Sequence, residues 1–157
     1  RRNRKTMTQM SVAELIRTKR RLVDDAVRFA TQSKWHEAEA KNREILEVDN
    51  NDQEAWNRLG KALLELGRSG AGVMKLSGPF RFSKLPYPHP DTDAIVHELL
   101  DAFTPDNCVW GSDWPFVRLD MRVDYGPTRA VFDRWVPDAK ARQKILWDTP
   151  ARLFGFK

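Results

Sequence analysis

Apolar residues return at helical spacing through the first part of the chain. Near GRSGAG, residues 67–72, they give way to short apolar runs set between turn signals. No proline precedes that stretch and all nine follow it. The change reads as a linker at 69–72 between an N-terminal part, 11–68, and a C-terminal part, 73–157. Ser11 with Glu14 three residues on is a capping-box pattern, and Leu15, Leu22, Ala26 and Phe29 then trace one face of a first helix. A second helix is predicted over HEAEAKNREILEV, with Ala38, Ile45 and Leu46 facing inward. The DNND that follows stops this helix and caps a third, QEAWNRLGKALLELG. Its predicted face is Trp56, Leu59, Leu63 and Leu66, with Gly67 as the residue just past its end.

The C-terminal part reads differently. VMKLS, residues 73–77, is a short strand, and FRFSKLPYPHP is a loop kept extended by its prolines. Thr92 is placed to cap a helix over DAIVHELLDAF, with Ile95, Leu99, Ala102 and Phe103 toward a core. TPDN is a turn and CVWG a second strand. Strand, helix and strand over so few residues make a βαβ unit, so the two strands are expected to be parallel neighbours. From Tyr125 onward the chain is predicted helical, with Arg142, Lys144 and Arg152 pairing with acids such as Asp148 on solvated faces.

Composition narrows the class. No apolar run is long enough to span a bilayer and no apolar segment follows the basic N-terminus, so a cytoplasmic protein without membrane partners is expected. The formal net charge is +5, yet eight bases and one acid lie within residues 1–21, leaving the remainder slightly acidic. Nucleic acid is therefore not an expected partner. RRNRKT precedes Met7 and a second methionine, Met10; residues 1–10 read as a disordered basic leader. Cys108, the single cysteine, reads as a small buried hydrophobe. His36, His89 and His97 have no metal-ligand spacing among them and read as surface residues, so no metal is expected in this chain.

Two stretches resemble known families. When residues 22–29 are shifted by about 34 positions, Leu22, Ala26 and Phe29 fall on Trp56, Gly60 and Leu63, and the segment resembles a tetratricopeptide repeat with the first helix of the next. Ala38 matches that family's small residue, whereas Asp25 and Asn50 depart from its pattern. The small residues Ala26 and Gly60 would let paired helices approach closely. KLSGPFR, VWGSDWPF and ILWDTPARLFGF, in that order, are similar to the C-terminal part of amidohydrolase-type enzymes, especially the 2-pyrone-4,6-dicarboxylate lactonase-like hydrolases. This second resemblance covers roughly residues 72–157.

The hydrolase resemblance implies a (β/α)8 barrel with its site at the C-terminal ends of the strands. Asp113 matches the acid that handles the proton of the attacking water, and Arg81 an arginine that holds a substrate carboxylate, with Ser77 hydrogen-bonding nearby. Phe116 stands where a histidine is common. In full-length relatives the resemblance allows the acid that Asp113 matches to act with or without a divalent metal, zinc or manganese, nearby. The early strand with its His-x-His motif has no counterpart here, so a small-molecule substrate is doubtful and the fragment is expected to be inactive alone. From the residues themselves, Asp113 is open between that role and capping its turn through backbone N–H groups. The fold class is thus mixed: antiparallel helices of tetratricopeptide type, then a βαβ unit and helices equivalent to the end of a barrel, a fusion of two pieces. The alternative function is a protein-interaction module binding a peptide through Asn42, Asn57, Arg58 and Lys61, or self-association across open strand edges.

Overall fold

A computed structural model describes residues 10–156. The expected basic leader, Met10 apart, lies outside the described residues. The chain forms two compact units, the first ending at Leu66 and the second beginning at Gly67.

The first unit is helical. α1 (Val12–Thr31) opens on Ser11, whose hydroxyl accepts from the Glu14 N–H while the Glu14 carboxylate takes the Ser11 N–H, the reciprocal arrangement of a capping box. A turn of three residues returns the chain into α2 (Trp35–Val48), and the two helices pack as a hairpin. Asp52 caps α3 (Gln53–Arg68) by accepting from the Ala55 N–H at 2.8 Å. Lys19 reaches from α1 to Asp49 and Asp52 at 2.6 and 2.9 Å, tying the α2–α3 turn to the hairpin. The core comprises Leu22, Ala26, Ile45 and Ala55, with Val23, Leu46 and Val48 packed against it.

Three expectations for α3 change. The buried face is Ala55, Leu59, Ala62 and Leu66, while Trp56 is 49% exposed and donates its indole N–H to the Asn50 carbonyl at 2.9 Å. Gly60 is not a close-approach site: a Cβ placed there meets nothing within 4 Å among the described residues. Gly67 lies inside the helix rather than past its end, and the left-handed residue is Gly70, φ 71°. Glycine is nonetheless required at 67, because a Cβ there would sit 2.5 Å from the ring of Phe103 within the second unit.

The second unit is built on β1 (Met74–Ser77) and β2 (Cys108–Gly111), paired in parallel from Met74↔Cys108 to Ser77↔Gly111. Each strand has one neighbour among the described residues. The crossover is α4 (Asp93–Phe103), entered through short 3₁₀ turns at Pro79–Arg81 and Pro90–Thr92 and left through one at Pro105–Asn107. α5 (Tyr125–Trp135), α6 (Ala139–Gln143, running on as one π turn to Asp148) and α7 (Thr149–Phe154) follow. Leu76, Val96, Phe103, Cys108, Val131, Phe132, Trp135, Val136 and Ile145 are among its buried apolar residues. Cys108 is wholly buried, and burial pushes its thiol up to about 12.

Here too the periodicity is nearly right. Val96, not Ile95, faces the core; Ile95 is 52% exposed. Thr92 does not cap α4. Its hydroxyl donates backward to the His89 carbonyl at 2.7 Å, because Thr92 itself has helical φ and ψ. The basic residues of the last helices do not seek Asp148. Lys144 pairs with Asp106 at 2.7 Å, Arg152 donates to the Asp106 carbonyl at 2.6 Å and Arg142 to the Val136 and Pro137 carbonyls at 2.8 Å. Lys144 and Arg152 thereby fasten the C-terminal helices to the turn that leads into β2.

Asp93, at the first residue of α4, joins that helix to α5. Its carboxylate accepts from Arg134 Nε and Nη2, at 3.1 and 2.7 Å, and from the indole N–H of buried Trp135 at 3.0 Å. The Arg134 hydrogen bond holds its carboxyl below the ordinary 3.8. A carboxyl so depressed stabilises the fold in full above that value and loses its contribution as pH falls through the lower folded one. Asp93→Asn is expected to cost about 2 kcal/mol at neutral pH, since it removes charge-assisted bonds to Arg134 and weakens that to Trp135. Thermal unfolding should show the gap between the two proteins closing as pH falls below 3.8.

Candidate active site

Parallel pairing decides what meets at the C-terminal ends of the strands. Ser77 and Gly111 are register partners, so the turns after them lie side by side. The turn after β1 begins at Gly78, φ 56°, and continues into the 3₁₀ turn that carries Phe80 and Arg81. The turn after β2 carries Ser112, Asp113 and Trp114. Arg81 Nε donates to Asp113 Oδ2, forming an ion pair across the two turns, and Arg81 Nη2 donates to the Val117 carbonyl at 3.1 Å. Arg81 Nη1 is then left without a partner among the described residues. Above the pair, Phe80 and Phe116 meet edge to face with centroids 5.8 Å apart, and the Arg81 guanidinium lies 5.6 Å from the Phe80 ring. Phe116, where a histidine was the expectation of the family pattern, thus gives this corner an aromatic wall.

The expectation that Asp113 caps its turn gives way to a different arrangement. Ser112 Oγ accepts from the Trp114 N–H at 3.2 Å, while the Asp113 carboxylate turns toward Arg81. Asp113, Phe116 and Arg118 all have positive φ, at 69°, 56° and 58°. Left-handed backbone costs about 1–2 kcal/mol per non-glycine residue, least for aspartate. A pair as exposed as this one, with side chains 37% and 26% accessible, returns less than about 1 kcal/mol. The corner is therefore a strained feature that the ion pair does not offset, the pattern found where backbone positions chemistry. Gly78 belongs to the same geometry: its left-handed φ admits glycine, and a Cβ there would touch Asp113 Oδ2 at 3.4 Å.

Ser77 ends β1 immediately before that glycine. Lys75, not anticipated, extends along Gly111, its Cε 2.7 Å from where a Cβ on Gly111 would lie. His89 is also not the surface residue expected. It is 7% exposed, with φ 57°, and its ring Nδ1 lies 2.9 Å from the Leu85 carbonyl, which can only accept and so fixes the proton on that nitrogen. With Phe80, Tyr87, Met121, Asp124 and Thr128 it lines a cavity of about 150 Å³. This is well short of the roughly 300–1,000 Å³ of ligand pockets. His36 and His97 are exposed as expected.

In the first unit, the residues proposed for partner binding separate. Asn57 and Lys61 are exposed. Asn42 is 2% exposed and cannot meet a partner. Its Nδ2 donates to the Ala38 carbonyl at 2.9 Å and its Oδ1 accepts from Arg58 Nε at 3.0 Å, so its polarity serves the helix contact.

Comparison with known proteins bears on the paired turns. The amidohydrolase family pattern matches residues 46–156, well over half of the chain. The chain belongs to the amidohydrolase family. That match starts within α2 and takes in α3 as well as the second unit. A 4-sulfomuconolactone hydrolase of Rhizobium radiobacter is 39% identical over 98 residues, covering 60% of this chain and 32% of that protein. A 2-pyrone-4,6-dicarboxylate hydrolase of Comamonas testosteroni is 29% identical over 82 residues, 52% of this chain and 27% of that one. Among solved structures, a Burkholderia multivorans amidohydrolase with bound zinc superposes with a TM-score of 0.56 at 27% identity. It covers 68% of this chain and 40% of that one. The chain spans about a third of the length of these curated relatives.

The zinc of that relative raises the question of whether such an ion has ligands here. Among the described residues no three His, Cys, Asp or Glu side chains come together in a way that could hold a metal ion. Asp113 is paired with Arg81 instead, and without such a cluster the described residues do not fit a zinc centre. No helix among the described residues is long and apolar enough to cross a membrane.

Proposed function

We propose that the second unit is the last-strand corner of a lactone-hydrolysing site, in which Asp113 handles the proton of the attacking water and Arg81 binds a carboxylate of the substrate. The observation that carries this reading is the Arg81–Asp113 pair, set in strained backbone at the C-terminal ends of two adjacent parallel strands. Arg81 has its Nη1 left for an anion once Asp113 and Val117 have taken Nε and Nη2. Both curated relatives named above carry a lactone in their names, which supplies the substrate class. Ser77, at the end of β1 beside Gly111, is assigned the hydrogen-bonding role in the same corner.

A barrel of this kind closes its pocket with eight strands, and two are paired here. The chain alone is therefore expected to leave a lactone intact. Incubation with 2-pyrone-4,6-dicarboxylate, followed by its ultraviolet absorbance, should show no turnover above buffer. Hydrolysis that disappears in Asp113→Asn would overturn the inactivity while supporting the role of the residue.

The helical unit, on this reading, is a tetratricopeptide-like piece joined to that fragment. Ala26 and Ala38, 1% and 0% exposed, supply the close helix contact such repeats use, and the open face around Trp56 and Gly60 is where a following helix would pack.

A further inference from the structure

The two strands of the second unit present unlike faces. Side chains alternate along each strand and register partners share a face. Met74, Leu76, Cys108 and Trp110 therefore lie on one side of the sheet, and Lys75, Ser77, Val109 and Gly111 on the other. The first side is covered: Leu76 and Cys108 are buried, and the Trp110 ring meets Tyr125 and Phe132 of α5. The second side carries Lys75, which is exposed and whose ammonium has no partner among the described residues.

This side chain does not stay at its own level of the sheet. Lys75 is the register partner of Val109, yet its Cε lies 2.7 Å and its Nζ 3.4 Å from where a Cβ on Gly111 would stand. Gly111 is the partner of Ser77 and the last residue of β2, two before Asp113. The stem thus runs up the sheet and sets the ammonium at the C-terminal ends of the strands, at the base of the turns that carry Arg81 and Asp113. A Cβ at position 111 would displace the stem from that path. The Asp113 carboxylate, which enters the same corner, is taken by Arg81, so it leaves the charge of Lys75 uncompensated. A forked cation beside a point cation suits a ligand with two anionic groups.

We propose that Lys75 is a second anion-binding residue of this corner, holding an anionic group of the ligand other than the carboxylate on Arg81. The inference rests on the reading of Arg81 as a carboxylate site and adds Lys75 to it.

An NMR titration of the whole chain, labelled with 15N and with 13C-lysine, tests it at low ionic strength. The probes are benzene-1,3-dicarboxylate and benzoate, which have no ester to hydrolyse. The ε-methylene signal of Lys75, identified by its loss in Lys75→Met, should move with the dicarboxylate and not with benzoate. Followed at the Gly111 amide, Lys75→Met should weaken the dicarboxylate about two- to fivefold, the worth of a solvated charge pair, and leave benzoate unchanged. Lys75→Arg should keep most of the affinity, and Arg81→Met should weaken both ligands. Lys75 is exposed, so its variants are expected to fold. A Lys75 signal that the dicarboxylate leaves unmoved, or an unchanged affinity in Lys75→Met, overturns the proposal. If Arg81→Met still weakens both ligands in that case, the reading of Arg81 stands. If neither ligand shifts the Gly111 amide up to roughly 50 mM, the proposal and the reading of Arg81 fall together.

Discussion

Phe132→Ala is expected to destabilise the second unit by about 3–5 kcal/mol, enough to leave it largely unfolded at ordinary temperatures. Phe132 has no exposed surface and its ring centroid lies 5.3 Å from that of Trp110. Truncation removes the largest fully buried side chain and leaves a cavity under β2, which the strand cannot fill because its backbone is held in register by β1. Trp110 is the last side chain of β2 before Gly111 and the Asp113 turn, so the same cavity loosens the support of the candidate site. Urea unfolding followed by near-ultraviolet circular dichroism of the tryptophans should show an early transition in the variant. A cost under about 1 kcal/mol would mean that Phe132 does not anchor β2.

Much of the architecture was legible because local signals agreed. Ser11 with Glu14, the DNND stop and the apolar run CVWG each coincide with an element boundary in the structure, and VMKLS overshoots β1 by Val73 alone. Connection length makes the strand pair parallel, and it is parallel. Helix faces were legible to within one residue. Trp56 and Ile95 attracted the assignment because they are large, yet small Ala55 faces the core of α3 beside Leu59, and Val96 that of α4.

What depends on long-range geometry was not legible from pattern. Arg81 and Asp113 are 32 positions apart, and only the register Ser77↔Gly111 brings their turns together. The family resemblance singled out both residues without indicating that they pair with each other. Asn42 reads as a surface polar residue because nothing in its neighbours reveals that Arg58, one helix away, takes its oxygen. His89 was hidden by its left-handed backbone in a proline-rich loop, which turns the ring inward.

The largest functional effect is expected at Asp113. If this unit is the end of an amidohydrolase barrel, residues 69–156 should serve in place of the matching segment of the Rhizobium radiobacter 4-sulfomuconolactone hydrolase, to which the chain is 39% identical over 98 residues. The graft restores the missing strands, so the strained turn and its Arg81 partner would meet the rest of a pocket. Asp113→Asn keeps the size of the side chain and removes its ability to take a proton, whose loss in a general base costs about 100- to 10,000-fold. Arg81→Lys keeps the charge but loses the planar fork, and should raise KM more than it lowers kcat. The decisive measurement is kcat/KM of this graft for its lactone, with and without Asp113→Asn. The account predicts activity within about tenfold of the parent hydrolase, falling by at least 100-fold in the Asp113→Asn graft. A folded graft whose activity is untouched by Asp113→Asn would contradict it.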